Sequence, residues 1–352
     1  MATLYDVCDK TGLSTATVSR VINGSELVRK ATRDRVLEAI KELNYSPSHA
    51  ARMLAGQKTD TIGIVLPVIA NGYIVQVLSG IDHIAREQNL KMMTSFYHDE
   101  SDLVTTLKCL CGEGRASAII LMNPTFITTE EVRELAGDDM PIILLSQVPE
   151  VADASIDSVL IDNYQGAYRA VEHLLESRPE SLLLLTGAEH IYDSRERLKG
   201  AQKAVQDAPY DVDLTILNGD FRHDRGCSVF EDYIENQGTF PDAIFAFNDD
   251  MALGVLDVLN KNDKVIPEDV QIIGFDNTEI AEYIGLSTIR VPMEKIGKEA
   301  GRLAAKRIQD RDAKSTSTTF GTSLEARKTT MPQEMAVDPE WLRASCLMKV
   351  SA

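Results

Sequence analysis

The 352-residue sequence has little of what marks a membrane or exported protein. No apolar run approaches the roughly 18 residues that a membrane span requires. Near the N-terminus, Asp6, Asp9 and Lys10 interrupt any apolar core of a signal peptide. We therefore expect a cytoplasmic protein.

Cysteine is also scarce, and its spacing fits neither disulfides nor a metal clip. The count is five, which is odd, and Cys109 and Cys111 lie too close for a redox CxxC. The six histidines are scattered without ligand spacing. The sequence predicts free thiols in a reducing compartment, no metal and no cofactor.

The usual catalytic motifs are missing as well. We find no GxxxxGK[ST] phosphate loop, no GxGxxG, no GxSxG elbow and no HExxH. Asp249 and Asp250 form a carboxylate pair, but neighbouring helical residues point in different directions. Asn248 and Asp249 fit better as the cap and dipole partner of a helix N-terminus. The sequence therefore predicts a protein that is not an enzyme.

Positive charge is deficient overall, with a formal net charge of −18, but it is unevenly distributed. Residues 1–58 contain nine Lys or Arg against six Asp or Glu, whereas the remainder is strongly acidic. Because DNA is an anion, an acidic body repels it. Only the N-terminal segment is a credible DNA surface.

Residues 3–23, TLYDVCDKTGLSTATVSRVIN, have the pattern of two short helices around a turn at Gly12. Thr3 and Asp6 have the spacing of a capping box, and Ser14 fits the N-cap of a second helix that starts at Thr15. That helix carries short hydroxyls, a methyl, a guanidinium and an amide, which suit base edges and phosphates in a major groove. The alternative is that this helix-turn-helix is only a structural element, of the kind that any small helical domain contains, and does not bind DNA.

A third helix is expected at about 32–44, with Thr32 as its cap. Arg29, Lys30, Arg33 and Arg35 are placed to meet phosphates. Residues 48–55 then form at most two helical turns after Pro47, so this helix is expected to fold only when paired or bound to DNA. Leu54 would be its minor-groove wedge. A flexible linker whose leucine packs on the body is the alternative.

From residue 61 the pattern alternates buried strands with amphipathic helices, which is typical of doubly wound α/β architecture. The apolar runs predict strands at 62–66, 91–96, 118–122, 142–145, 156–161, 182–186, 243–247 and 271–275. Intervening helices are expected near 74–85, 101–113, 128–137, 163–177, 194–207, 222–236, 248–261 and 294–310. The strand–loop–helix pattern of residues 61–88 recurs weakly at 181–207. This internal repeat predicts two similar lobes with a small-molecule cleft between them.

Polar side chains cluster after the predicted strands. An amide, a guanidinium, a carboxylate and an aromatic face together suit a polyhydroxylated ligand such as a sugar. The candidate effector-binding residues are Asn71, Tyr73, Ser146, Arg197, Phe221, Asn248 and Asp276.

The motifs, in their order and spacing, make the chain resemble a LacI/GalR-family transcriptional regulator along nearly its whole length. The matching segments are LYDVCDKTGLSTATVSRVING, RDRVLEAIKELNYSPSHAARML, TIGIVLP, RERLKGAQKA, PDAIFAFNDDMALGVLDVL, IPEDVQIIGFDNTEIA and STIRVPMEKIGKEA. The resemblance implies a homodimer with a DNA-reading head, a hinge helix and a two-lobed body like periplasmic sugar-binding proteins. Its partners would be a pseudo-palindromic operator and a small effector.

The resemblance also implies roles for individual residues. Thr15, Ala16 and Arg20 would read operator bases. Contacts to the DNA backbone, or support of the recognition helix, would come from Tyr5, Ser14, Thr17, Ser19, Asn23, Arg29 and Thr32. Ala51 and Leu54 fall on the hinge helix, Arg197, Asn248 and Asp276 match the effector-holding trio, and Phe221 matches the stacking aromatic.

Three departures leave the effector open. NGYI replaces the family's NPxF after the first strand, Ser146 stands where sugar-binding members often have Asp, and Val291 where some have a polar residue. His190, Ile191 and Tyr192 differ from the polar set of purine-responsive members, so a sugar is favoured over a purine. A cytoplasmic solute-binding protein is the other function class.

The expected organisation is a helix-turn-helix domain over 1–45, a hinge helix and linker over 46–60, an effector-binding and dimerisation body over 61–330, and a tail over 331–352. The N-lobe would take about 61–161 and 291–320, and the C-lobe about 162–290 and 321–330. The tail lacks leucine heptads, which predicts a dimer and no tetramer.

Overall fold

The computed structural model describes residues 2–22, 27–43, 45, 59–68, 72–112, 114–122, 128–137, 139–146 and 156–330. At its N-terminal end three helices, α1 (Leu4–Thr11), α2 (Thr15–Ile22) and α3 (Lys30–Glu42), surround a small apolar core. The predicted capping box of Thr3 and Asp6 is present at the start of α1. Gly12 ends α1 with φ of 56°, a conformation that glycine adopts without a Cβ penalty.

The predicted start of the third helix was wrong. The helix begins at Lys30, after Arg29, which makes no side-chain capping bond. Thr32 therefore lies inside the first turn, where it cannot serve as the N-cap. A sequence pattern places helix ends less securely than helix interiors, because several residues can provide the first turn.

A first six-stranded parallel sheet follows, in the order β11-β5-β4-β3-β1-β2. Its strands are β1 (Thr61–Pro67), β2 (Lys91–Tyr97), β3 (Ala118–Met122), β4 (Ile142–Leu145), β5 (Ile156–Ile161) and β11 (Ser317–Phe320). The helices of this lobe are α4 (Gly72–Glu87), α5 (Glu100–Gly112), α6 (Thr129–Ala136) and α12 (Met293–Gln309). We call this unit the N-lobe.

The second sheet, also of six strands, has the order β12-β10-β9-β8-β6-β7 and forms what we call the C-lobe. Its strands are β6 (Ser181–Thr186), β7 (Asp213–Asn218), β8 (Ala243–Ala246), β9 (Gln271–Asp276), β10 (Ser287–Arg290) and β12 (Ser323–Glu325), of which β12 is antiparallel. Its helices are α7 (Asn163–Leu175), α8 (Tyr192–Asp207), α9 (His223–Gln237), α10 (Asp249–Lys261) and α11 (Glu279–Ile284).

The predicted fold class is confirmed, and the predicted strands agree with the structure to within about a residue at each end. The sequence pattern missed β7, β10, β11, β12 and α11. Strands β7 and β11 are partly exposed and the others are short, so their apolar runs are too weak to stand out.

The chain passes between the lobes more than once. It leaves the N-lobe after β5, builds β6 to β10 in the C-lobe, returns for α12 and β11, and crosses again to β12. Parallel strands therefore point their carboxyl ends toward the space between the lobes. Among the described residues, no helix is both long and apolar enough to cross a membrane.

Candidate functional site

One candidate surface lies on helix α2 of the N-terminal unit. Ser14 caps the helix, since its Oγ accepts a hydrogen bond from the Thr17 amide at 3.3 Å. Val18 and Val21 are buried in the core of the three helices. This anchoring leaves the opposite side of α2 in solvent, with Thr15, Ala16 and Arg20 exposed.

The other residues predicted for this surface are placed around α2. Tyr5 is 70% exposed on α1, and Arg29 is exposed immediately before α3. Thr17, Ser19 and Thr32 are half-buried, and the hydroxyls of Thr17 and Ser14 lie 3.0 Å apart. The predicted residues Asn23, Ala51, Leu54 and Asn71 lie outside the described residues.

A second candidate site is a pocket of about 520 Å³ between the two lobes. The N-lobe contributes apolar and aromatic side chains from the ends of β1 and β3 and the first turn of α4. The C-lobe contributes the polar groups. The lining residues are Pro67, Tyr73, Ile74, Met122, Ile191, Asp193, Arg197, Phe221, Asn248 and Asp276.

Arg197 is the buried cation of this pocket, with only 3% of its surface exposed. Its Nε donates to Asn163 Oδ1 at 2.8 Å, and another guanidinium nitrogen donates to the Phe247 carbonyl. The guanidinium lies 3.5 Å from Asp276 Oδ1 and stacks 3.7 Å from the ring centroid of Phe275. Two of its five N–H donors are therefore committed to protein acceptors before any ligand arrives, and Asp276 faces its charge.

Two buried carboxylates, Asp193 and Asp276, face this single guanidinium. Burial raises the pKa of Asp276 well above its ordinary value, and the Arg197 charge opposes that rise. Burial also raises the pKa of Asp193, although Arg197 and the Asn163 amide, at 2.7 Å, stabilise its charged form. When both carboxyl groups are ionised, the pocket carries more negative than positive charge.

Two polar atoms of the pocket lack partners. Within the described part of the chain, the buried Tyr73 hydroxyl and Asp276 Oδ1 have no hydrogen bond of normal geometry. A buried polar atom without a partner is unfavourable by about 1–3 kcal/mol, so each is a place for a ligand hydroxyl. Together they provide one phenolic hydroxyl and one carboxylate acceptor.

Asn248 and Phe221 form the wall between β7 and α10. Asn248 caps α10 as predicted, because its Oδ1 accepts from the Met251 amide at 2.9 Å. Its Nδ2 donates to the Phe221 carbonyl at 3.0 Å, which ties the loop after β7 to the helix. The Phe221 ring faces the pocket beside the Arg197 guanidinium, 5.6 Å from its centroid.

Backbone strain is concentrated at this end of the sheets. Three candidate residues have positive φ without being glycine: Ser146 at 59°, Phe221 at 58° and Asp276 at 113°. Such conformations cost of order 1–3 kcal/mol each and persist only where the surrounding structure enforces them. All three follow or end strands that point toward the cleft.

Ser146 itself does not line the pocket, contrary to the prediction. Its side chain is buried next to Tyr73 and Asp193, which do line the pocket. The residue that does line the pocket, Asp193, was missed together with Ile191 and the supporting Asn163. Asp193 stands one turn before Arg197 on α8, so the motif DSRERLKG contained the signal.

Asp249 is a further buried carboxylate that the cap interpretation did not foresee. Its oxygens accept from the Thr278 amide at 2.7 Å and from the Thr288 hydroxyl at 2.6 Å. Burial raises its pKa to about 6, against the opposing effect of these hydrogen bonds. The residue therefore joins α10 to the segments that follow Asp276 instead of acting at the helix surface.

The comparisons with known proteins cover both candidate sites. Residues 3–48 match the family model described as bacterial regulatory proteins, lacI family, and residues 171–330 match that of a periplasmic binding protein-like domain. The HTH-type transcriptional repressor PurR of Vibrio parahaemolyticus is 33% identical over 321 residues, which cover 89% of this chain and 93% of the relative.

Two solved structures extend the likeness to three dimensions. The lac repressor dimer bound to operator and the anti-inducer ONPF is 27% identical, with a TM-score of 0.78, over 94% of this chain and 99% of that one. The complex of the transcriptional regulator CelR with cellobiose is 26% identical, with a TM-score of 0.69, over 94% of this chain and 100% of that one.

Proposed function

The chain belongs to the LacI family of bacterial regulatory proteins, and from this premise we propose that an uncharged, hydroxyl-rich effector controls it through the inter-lobe pocket. It is a DNA-binding transcriptional repressor and not an enzyme. The single observation that carries the proposal is the pocket itself, where one buried guanidinium, two buried carboxylates and an aromatic ring converge.

For DNA, we propose that the exposed side of α2 enters the major groove. Thr15, Ala16 and Arg20 are exposed there, which allows the two short side chains and the guanidinium to reach base edges. The flanking predicted residues, including Arg29 and Tyr5, would contact the backbone and fix the register. DNA binding assigns the protein to the cytoplasm.

A homodimer would read a pseudo-palindromic operator, because two-fold protein symmetry matches two-fold symmetry of the site. The structure of the lac repressor dimer on operator supports this by analogy. The hinge segment with Ala51 and Leu54 keeps the role proposed from the sequence, and the domain boundaries remain as predicted there.

The charge of the pocket argues against an anionic effector. Arg197 donates to Asn163 and Phe247, and Asp276 already balances its charge, so the positive charge left for a phosphate or carboxylate is small. Asp193 and Asp276 would repel such a group at short range. Asp276 Oδ1 and the Tyr73 hydroxyl instead suit hydrogen bonds from hydroxyl or amine groups of an effector. Phe221 offers an apolar face for a ring of the effector.

A sugar fits these requirements, and the structural likeness to a cellobiose-bound regulator supports it. Regulation of carbohydrate-utilisation genes would follow. A non-sugar corepressor such as a purine base is the second candidate, favoured by the 33% identity to a repressor named PurR and by the apolar Ile191 and Met122 in the lining.

Both lobes contribute to the pocket, so a ligand that contacts both favours one relative position of the lobes over another. We propose that this position sets the spacing of the hinge segments in the dimer. The coupling must be reciprocal: operator DNA changes effector affinity by the same factor by which the effector changes operator affinity.

A thermal-shift screen tests the effector class, because a ligand that binds the folded state raises its stability with concentration. The panel should pair each neutral sugar with its phosphate, and each purine base with its nucleotide. We expect the neutral member of the correct pair to stabilise the wild type, and Asp276→Asn to weaken this response. Stabilisation by the phosphorylated member alone would contradict the charge argument.

A gel shift with DNA from upstream of the gene tests the other half of the proposal. Adding the effector should release the DNA if it is an inducer and tighten binding if it is a corepressor. Arg20→Ala should weaken specific binding by about 1–3 kcal/mol, the value of one good base contact. Arg86→Ala, on the exposed side of α4, is the matched control.

A further inference from the structure

A cluster of three different metal-ligating side chains lies on the C-lobe, outside the pocket lining. His223 and Cys227 are one turn apart on α9, and Asp257 faces them from α10. His223 Nε2 lies 3.0 Å from Asp257 Oδ2, and Cys227 Sγ lies 3.9 Å from His223 Nδ1. One ligand atom of each residue lies within 4.8 Å of the others.

Close packing of the two helices brings these residues together. At Gly254, an added Cβ would lie only 2.4 Å from the His223 carbonyl oxygen and 3.2 Å from Cys227 Sγ. The absence of a side chain there lets α9 and α10 touch backbone to backbone. Asp257, three residues after Gly254, is thereby held beside the His223 ring.

We propose that His223, Cys227 and Asp257 form a binding site for a divalent transition-metal ion, of which Zn²⁺ suits the ligands best. The set provides one sulfur, one imidazole nitrogen and one carboxylate oxygen, and leaves a fourth position for water. Zinc–ligand bonds of about 2.0–2.3 Å set tetrahedral ligand atoms roughly 3.3–3.8 Å apart. The three ligand atoms, now within 4.8 Å of one another, reach that spacing if the side chains rotate enough to move them by about 1 Å.

The surrounding charges favour a cation. Asp250 interacts electrostatically with His223 and adds negative charge beside the cluster. The nearby cations are already paired, Lys261 with Glu231 at 2.9 Å and Arg222 with Asp224 at 2.7 Å. Thiolate and carboxylate ligands together neutralise the two charges of the ion.

Binding must displace the thiol proton to solvent, because the thiolate is the ligand. Cys227 now donates its S–H to the Gly254 carbonyl at 3.2 Å, and burial raises its pKa. Metal affinity should therefore increase with pH. The imidazole must be neutral as well, which points in the same direction.

The position of the cluster links it to the effector pocket. Helix α9 begins two residues after Phe221, and α10 begins directly after Asn248, whose side chain holds the Phe221 carbonyl. An ion that joins α9 to α10 would fix the distance between these two pocket walls. The site would thus give a metal ion a route to influence effector affinity.

Cobalt and zinc titrations of the chelator-treated full chain test the site. Co²⁺ bound to the cluster should give visible d–d absorption and a thiolate-to-cobalt charge-transfer band, which Zn²⁺ then displaces. Cys227→Ser, His223→Gln and Asp257→Asn should each weaken Zn²⁺ binding at least about tenfold in calorimetry, since losing even an outer-shell partner costs that much. Cys227→Ser should also abolish the charge-transfer band.

His98→Gln is the matched control, because His98 and Asp102 form an exposed pair at 2.9 Å that no cysteine accompanies. Its Zn²⁺ affinity should equal that of the wild type. Zn²⁺ should also slow hydrogen exchange in residues 223–230 and 250–257. The proposal is overturned if the chain binds no Zn²⁺, if Cys227→Ser binds as the wild type does, or if His98→Gln loses as much affinity as the cluster variants. Circular dichroism of the metal-free variants shows that each remains folded.

Discussion

Arg197→Ala removes the buried cation of the pocket, and we expect it to reduce the stability of the C-lobe before any effect on a ligand is considered. The substitution deletes the hydrogen bonds to Asn163 and Phe247 and the stacking on Phe275. It also leaves Asp276 buried without its counter-charge. Breaking a buried pair in this way costs about 3–5 kcal/mol, a large part of the roughly 5–15 kcal/mol that a domain has in total.

The measurement is urea unfolding followed by far-UV circular dichroism at pH 7. Arg195→Ala is the control, since Arg195 lies on the same helix but is exposed and reaches only the His190 carbonyl. Its cost should stay below about 1 kcal/mol. The double variant Arg197→Ala/Asp276→Asn should recover part of the loss, because it no longer buries an unpaired charge.

The pH dependence has a definite sign. In Arg197→Ala, Asp276 loses the charge that now opposes the rise in its pKa. Asp276 therefore binds its proton at higher pH in the variant than in the wild type, and the stability gap should narrow as pH falls from the variant's pKa to that of the wild type. The reasoning is refuted if Arg197→Ala matches Arg195→Ala, or if Asp276→Asn adds its own cost instead of offsetting the first.

Three further changes test other parts of the molecule. Gly187→Ala should lower effector affinity at least about tenfold in calorimetry, because its Cβ would lie 2.0 Å from the Phe221 ring and displace it. Unchanged affinity would show that the Phe221 ring does not contact the effector. Asp249 has a pKa of about 6 against 3.8 ordinarily, so its contribution to stability is full below about pH 3.8 and is lost as pH rises through 6. Wild-type stability relative to Asp249→Asn should thus fall by roughly 2 kcal/mol from pH 4 to pH 7 in urea titrations, whereas a constant difference would contradict the buried charge. Leu54→Ala should weaken operator binding in a gel shift while sparing effector affinity, and equal loss of both would indicate that Leu54 packs on the body.

Local sequence patterns were enough to predict the elements whose defining residues lie close together in the chain. The capping box at Thr3, the cap at Asn248 and the buried strands each depend on residues within a few positions of one another. The same holds for the family resemblance, which depends on ordered motifs along the chain. Thr32 shows the limit, since more than one residue could open that helix and the choice depends on packing.

Other features depend on contacts between distant segments. Asp249 is a cap neighbour in sequence, but Thr278 and Thr288, far along the chain, make it a buried acceptor. Ser146 stands at the predicted strand end, yet it is buried outside the lining, which Tyr73 and Asp193 provide. No spacing in the sequence joins His223 to Asp257, because two helices must first meet at Gly254.

The sequence by itself determined the fold class, the family and the chemistry available to the pocket, because periodicity and motif order are local properties of the chain. The tertiary structure decided how those groups are used. Only folding shows that Arg197 contacts Asn163 and Asp276 and that Asp193 and Asp276 outnumber it, since these contacts join residues that lie far apart along the chain. That balance of charge is the basis on which we propose a neutral effector.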